Sequence, residues 1–148
     1  MLLTTRNYKR VKPHRNSKKI IIFAEGMKRE VEYFKKFQDL DSRLKIVIYD
    51  LKHTEDNSPS GLYKIAKRCI QDNEINGEDF EFLEDLDEIW FVIDTDTWYE
   101  KIEELRSAVK KEKGWYIAQS NPCFEVWLYY HFFELIIKRE KIKNITTI

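Results

Sequence analysis

Apolar residues in this chain are concentrated in four short, nearly continuous runs, separated by longer stretches in which they recur every three or four positions. A continuous apolar run of strand length is typical of a strand covered on both faces. The longer stretches have the spacing of helices with one buried side. The predicted strands are Lys19–Ala24, Ile46–Leu51, Glu88–Ile93 and Trp115–Gln119. The predicted helices are Met27–Leu40, Leu62–Ile70, Tyr99–Lys113 and one that begins at Asn121-Pro122.

The order of these elements predicts the fold class. Strand and helix alternate four times, which indicates an α/β, Rossmann-like sandwich with a four-stranded, mostly parallel sheet, right-handed crossovers and helices on both faces. Ser58 or Ser60 is expected to cap the second helix, and Gly114 to end the third. The acidic segment from Asp72 to Asp87 has a weak pattern and is expected to be a connection with at most a short helical turn.

Composition supports one globular domain with basic ends. The chain has 148 residues, of which 43% are hydrophobic and 14% aromatic, which is enough to bury a core. We expect a basic arm over residues 1–18, a domain over 19–138 and a basic tail over 139–148. Because the net charge is zero, any attraction to nucleic acid must come from such local clusters. The arm fits a phosphate contact, and it fits a solvated terminus equally well.

Cysteine usage and the amino terminus indicate the compartment. The two cysteines, Cys69 and Cys123, form neither a metal-ligand motif nor a disulfide framework. The first ten residues have no apolar stretch of signal-peptide length. The longest apolar run, Phe124 to Ile137, is interrupted by charges and is too short to span a bilayer. We therefore expect a cytoplasmic protein without a membrane partner.

Acidic residues follow two of the predicted strands. Glu25-Gly26 comes directly after the first strand and Asp94-Thr95-Asp96 after the third. Ligands of an open parallel sheet bind beyond the carboxyl ends of its strands, and Mg²⁺ prefers carboxylate oxygens, water and substrate phosphate. Asp94 and Asp96, two apart in extended chain, would point the same way, and Gly26 would let a phosphate approach the backbone. Asp96 also fits the cap of the following helix.

Three blocks of the chain resemble a known family. They are IIIFAEGMKREVEYFKKF, IWFVIDTDTW and AQSNPCFEVWLYYHF, and together they resemble the RloB-like family found beside bacterial restriction and phage-defence genes. That family is similar to Toprim domains, whose pattern is a Glu-Gly after the first strand and an Asp-x-Asp after a later one. The resemblance implies a Toprim-like site in which Glu25, Asp94 and Asp96 hold Mg²⁺ or Mn²⁺ and act in catalysis.

Other residues of the blocks have two interpretations each. Lys28 and Arg29 fit contacts to substrate phosphate or solvated charges on the helix. Ser120, Asn121 and Glu125 fit a wall of the same site, whereas Asn121 also fits an N-cap and Glu125 the positive end of a helix dipole.

Two further features bear on the resemblance. His131 is expected in the core or on the surface rather than in the site. Arg29 stands where relatives have threonine. Relatives also continue well beyond the last block, whereas this chain ends at Ile148, so the resemblance implies a C-terminally shortened member.

Three functions compete at this stage. The first is a metal-dependent nuclease that hydrolyses DNA or RNA in an anti-phage or restriction-associated system. The second is a phosphatase of the HAD type, with Asp94 as nucleophile and Asp96 as acid, which leaves Glu25-Gly26 unexplained. The third is a catalytically silent Toprim-like module that binds nucleic acid or protein. The resemblance implies nucleic acid as partner, together with an ATPase encoded in the same system, and a homodimer is compatible with it.

Overall fold

The protein is built on one parallel sheet of four strands. A computed structural model describes residues 9–13, 16–121, 123–126 and 128–129, except for the side chains of residues 96, 97 and 99. The strand order is β2-β1-β5-β6, and every pair in it is parallel. The predicted α/β class and the parallel sheet are therefore confirmed.

The elements follow one another as the apolar pattern indicates. The strands of the main sheet are β1 Lys18–Ala24, β2 Leu44–Ile48, β5 Glu88–Asp94 and β6 Trp115–Ser120, and a small second sheet contains β3 Glu74–Ile75 and β4 Glu78–Asp79. The helices are α1 Arg29–Lys35, α2 Pro59–Asp72 and α3 Thr95–Val109. Residues 124–126 and 128–129 are also helical.

The two faces of the sheet bury separate clusters, so helices lie on both faces as predicted. One cluster joins alternate strand residues such as Phe23 and Phe91 to α2 and α3, through Leu62 and Ile102 among others. The other cluster joins the intervening strand residues to α1 and to the helical residues after β6, and it includes Phe124. The alternation of side chains along each strand produces this division.

Helix boundaries differ from the predicted ones for local reasons. Helix α1 ends at Lys35 instead of residue 40, because turns follow it and Asp39 has a positive φ of 60°. Helix α2 begins earlier than predicted, at Pro59, where the side chain of Ser58 accepts a hydrogen bond from the Gly61 N–H. Of the two expected caps, Ser58 and Ser60, this bond confirms Ser58. Proline is favoured at the first position of a helix. Helix α3 begins at Thr95, four residues before the predicted Tyr99. It ends at Val109, so the predictions that it reaches Lys113 and that Gly114 ends it are wrong.

The segment predicted to be a connection contains a hairpin. β3 and β4 pair antiparallel around Asn76 and Gly77, which both have positive φ, the conformation that Asn-Gly turns favour. The Asn76 side chain bonds the end of β2: its amide donates to the Ile48 carbonyl oxygen and its oxygen accepts from the Asp50 N–H, each at 2.8 Å. The hairpin is thereby fixed against the outer strand of the sheet.

Part of the predicted basic arm lies on the domain. The Val11 N–H donates to the Asp39 carbonyl oxygen at 2.8 Å, and the Arg10 side chain donates to backbone carbonyls after α1. Residues 1–8 of the arm, Pro122, Trp127, His131 and the predicted tail over 139–148 lie outside the described residues. Within the described part of the chain, no helix is long and apolar enough to cross a membrane.

Candidate acidic site at the carboxyl ends of the strands

Strand order places two predicted site residues next to each other. From β1 the chain goes first to β2 on one side and later to β5 on the other, so the carboxyl ends of β1 and β5 form the point where the strand order reverses, a common ligand position. Glu25 follows β1 and Asp94 ends β5. The Glu25 N–H donates to the Val92 carbonyl oxygen, and the Asp94 N–H donates to Glu25 Oε2, each at 3.1 Å.

Asp94 also holds the start of the helical segment after β6. Its backbone is extended at the N-cap position of α3, and its Oδ1 accepts a hydrogen bond from the Phe124 N–H at 2.9 Å. Asn121, an expected N-cap of this segment, lies exposed three residues before its first helical residue. The Asp94 carboxylate, from β5, therefore accepts a backbone N–H at the start of this segment. Asn121, after β6, was the residue expected to do so.

The Asp-x-Asp segment spans a junction between strand and helix. Sequence spacing suggested extended chain, but Thr95 and Asp96 lie in the first turn of α3, so that premise is wrong, and Asp96 is not the N-cap of the helix. The turn is separated from the rest of α3 by non-helical backbone at Trp98. The Thr95 hydroxyl donates to the Ser120 carbonyl oxygen at 2.7 Å and accepts from the Gln119 side-chain amide at 2.8 Å. These bonds hold the junction against β6.

Glu30 is a further acid at this edge, and the sequence patterns did not single it out. It lies in the first turn of α1 and is only 5% exposed. A Cβ on Gly26 would lie 1.8 Å from Glu30 Oε2, so the carboxylate occupies the space that the absent side chain of Gly26 leaves open. Burial raises the pKa of Glu30, a backbone hydrogen bond lowers it, and the charges of Asp94 and Glu125 raise it further.

The burial of Glu30 depends on the path of the chain around Gly26. Sequence offers a weak signal for Glu30, its position five residues after Glu25. Gly26 was expected to face a phosphate, and Glu30 now fills the space beside it.

Two basic residues at the start of α1, Lys28 and Arg29, were predicted to bind substrate phosphate. Arg29 Nη1 lies 3.1 Å from Glu125 Oε1, with the side chains 66% and 41% exposed. This ion pair joins the start of α1 to the helical segment after β6, across the same edge of the sheet. Lys28 occupies the N-cap position of α1 and is exposed. The structure thus brings Arg29 and Glu125 together, where sequence gave each a separate role.

The donor set suits a hard cation. Glu25, Asp94 and Glu30 offer only oxygen ligands, and mutual proximity of acids, as seen in the raised pKa of Glu30, favours a positive ion between them. Among the described side chains, which exclude Asp96, no three His, Cys, Asp or Glu residues are placed to hold a metal ion. Mg²⁺ commonly binds only one or two carboxylates and completes its shell with water and phosphate, so the residues present fit it.

Comparison with known proteins identifies the family of the chain. A family model described as RloB-like protein matches residues 20–147. No curated protein matches the chain, and no solved structure does.

Proposed function

Because this chain belongs to the RloB-like family, we propose that it is a metal-dependent nuclease of a bacterial anti-phage or restriction-associated system. The proposal depends mainly on one observation, the hydrogen-bonded contact between Asp94 and Glu25 at the point where strand order reverses. Acids held side by side at a ligand-binding edge are well suited to phosphoryl chemistry that uses a divalent ion. Mg²⁺ or Mn²⁺ is the proposed cofactor, and DNA or RNA the substrate.

Each residue of the site has a proposed role. Glu25 and Asp94 would hold the ion, together with Asp96 from the first turn of α3. The ion, when bound, supplies positive charge against the negative charge that develops on a reacting phosphodiester. Glu30, buried beside Gly26, adds a further carboxylate to the same negative field. That field would attract the divalent ion and keep its position fixed.

Substrate binding would come from the amino end of α1. Arg29 is bonded to Glu125 at a largely exposed position, and such a surface ion pair contributes little stability. A substrate phosphate could therefore replace Glu125 as the partner of Arg29, since guanidinium groups bind phosphate with two parallel hydrogen bonds. Lys28, beside it, would add charge to the same contact.

The decisive experiment is a cleavage assay with matched acid variants. The purified chain is incubated with single- and double-stranded DNA and RNA in Mg²⁺, Mn²⁺ or EDTA, beside Asp94→Asn and Glu25→Gln. We expect cleavage that needs the ion and falls about 100-fold or more in both variants, since ligand loss removes several kcal/mol of transition-state stabilisation. Asp85→Asn is the control, because Asp85 is an exposed acid paired with Lys113 away from the site.

Other outcomes would favour the competing functions. Cleavage by Asp94→Asn at the rate of the parent chain would contradict the proposed ion site. Release of phosphate from a simple phosphomonoester, with an acyl-phosphate on Asp94, would favour the HAD-type reaction instead. Binding of nucleic acid with no cleavage in any metal, unchanged in both variants and reduced by neutralising the basic arm, would favour a silent module.

A further inference from the structure

The loop between β2 and α2 lies against the acidic site. Asn57 is exposed, and its Nδ2 lies 3.5 Å from the Glu25 carbonyl oxygen. β2 is the neighbour of β1 on the side away from β5, so the loop and Asp94 lie on either side of Glu25. An exposed amide at this position adds hydrogen-bond donors to an edge that otherwise carries acids.

The loop is held in place by its own acids. The Glu55 carboxylate accepts hydrogen bonds from two side chains and one backbone N–H, at 2.7 to 3.1 Å. Asp56 Oδ1 accepts from the Ser58 N–H at 2.9 Å. A Cβ on Gly61 would lie 2.4 Å from the Asp56 carbonyl oxygen, so the loop backbone packs directly on the first turn of α2. Asn57, between these contacts, therefore has a fixed position beside the acidic site.

Two lysines approach the same loop from different helices. Lys64 lies in α2 and Lys101 in α3, and both are exposed. Hydrogen bonds from Ser58 lower the pKa of Asp56, and the charges of Lys101 and Lys64 lower it further. Within the described part of the chain, neither lysine has an ion-pair partner. Both ammonium groups are therefore close to the loop and available to an anion.

The Lys101 side chain extends back toward the acidic site. Side chains of a helix lean toward its amino end, and α3 begins directly after Asp94. Lys101 Nζ lies 5.0 Å from the centre of the Trp98 ring, three residues earlier. Trp98 is where the first turn of α3, which contains Asp96, is separated from the rest of the helix. The ammonium group therefore lies next to the turn that contains a proposed ion ligand.

We propose that Asn57, Lys64 and Lys101 form a second phosphate contact for the nucleic-acid strand, on the opposite face of the sheet from Arg29. α1, which begins at Arg29, packs on one face, and α2 and α3 pack on the other. A strand that crosses the carboxyl edge between the two faces meets Arg29, then the acidic pair, then these three groups. Ammonium groups bind phosphate as point charges, and an amide N–H donates to a phosphate oxygen. This inference rests on the proposed function and adds to it the course of the substrate strand.

The experiment is binding of a labelled single-stranded oligonucleotide by the full chain, with Ca²⁺ in place of Mg²⁺. Fluorescence anisotropy measures the affinity at several salt concentrations. Lys101→Ala and Lys64→Ala should each weaken binding about fivefold and lower the slope of affinity against salt by about 1, because one phosphate contact is lost. Lys101→Arg should retain the affinity and the slope. Lys110→Ala is the matched control, because Lys110 is exposed at the other end of α3.

A second pair of variants tests the amide. Asn57→Asp and Asn73→Asp each add one negative charge at an exposed position, the first just before α2 and the second at its end. Asn57→Asp should weaken binding about tenfold, because a carboxylate repels the phosphate that the amide would bind, and Asn73→Asp should weaken it less than about twofold.

The outcomes separate this contact from the nuclease itself. Equal affinity of Lys101→Ala and Lys110→Ala, or of the two asparagine variants, would overturn the proposal. Cleavage by the parent chain together with such equal affinities would overturn this contact alone. Binding without cleavage in any metal ion, with the differences between variants retained, would overturn the proposed nuclease and support the contact. A chain that binds no nucleic acid would overturn both.

Discussion

An acid is buried at each end of the main sheet, but the charge of its neighbours differs between the two ends. At the amino ends of the strands, Asp87 has a fully buried side chain 3.0 Å from Lys19 Nζ, and Glu88 lies 2.5 Å from Lys18 Nζ. At the carboxyl ends, Glu30 is buried with Asp94 and Glu125 close enough to raise its pKa. Pairing with a cation offsets the cost of burying a charge, whereas grouping acids increases it. Pairing of this kind is typical of a structural site, whereas grouped acids are what the proposed ion site requires.

The largest change in stability is expected at the amino ends of the strands, where Asp87 is paired with Lys19. Asp87→Ala should lower the free energy of unfolding by about 3–5 kcal/mol, because it leaves Lys19 without its buried partner. It also removes the acceptor of the Lys19 and Leu83 N–H groups, each bonded at 2.8 Å. Urea denaturation measures the change. Asp85→Ala, two residues away and 89% exposed, should leave the urea midpoint unaltered, and an equal loss in both would contradict the assignment.

At the carboxyl ends of the strands, removing a buried charge is expected to raise the free energy of unfolding. A raised pKa means that the folded state disfavours the charged carboxylate, so Glu30 destabilises the fold at neutral pH. Glu30→Gln should therefore raise the free energy of unfolding by roughly 1 kcal/mol at pH 7, while it weakens Mn²⁺ binding measured by calorimetry. Glu32→Gln is the control, because Glu32 is exposed on the same helix. Destabilisation by Glu30→Gln would remove the contrast between the two ends.

Glu55 shows that an acid near the carboxyl ends can also be paired. Burial raises the pKa of Glu55, but hydrogen bonds from Tyr49, the Lys52 N–H and Arg68 outweigh it and hold the pKa below its ordinary value of 4.5. A lowered folded pKa gives stability that is present above pH 4.5 and is lost as the pH falls below it. Glu55→Gln should cost about 1 kcal/mol at pH 6 and no more than a small fraction of that in strong acid. Urea titrations at several pH values measure this, and a pH-independent cost would contradict it.

The smallest change in stability is expected for Gly26→Ala. Its Cβ would displace the Glu30 carboxylate, which is the flexible end of a side chain, so unfolding should change by less than about 1 kcal/mol. Once the carboxylate has moved away from the other acids, adding Glu30→Gln should no longer stabilise the protein. A double-mutant cycle measures this coupling. Additive effects of the two changes would show that Glu30 does not depend on Gly26 for its position.

The features predicted correctly from the sequence are those that local residue patterns determine. The four strands were predicted because covered strands are apolar along their length, and Ser58 was one of two candidate caps because serine favours the start of a helix. The start of α3 was placed too late, since it depends on Thr95 bonding to the end of β6.

Of the acids at the carboxyl ends of the strands, sequence predicted only some. Glu25 and Asp94 were selected because they follow strands. Glu30 was missed because its burial arises from packing on Gly26, which no periodicity reports.

The bonds from Asn76 to Ile48 and Asp50 have a consequence for how the protein behaves in solution. β2 is one of the two edge strands of the sheet. A carbonyl and the N–H two residues later are the groups that an added parallel strand would use. The Asn76 amide occupies both, so a second chain cannot extend the sheet at that position. An exposed edge of this kind invites aggregation. The Asn76 side chain, in a two-residue turn, thus blocks the addition of another strand at this part of the edge.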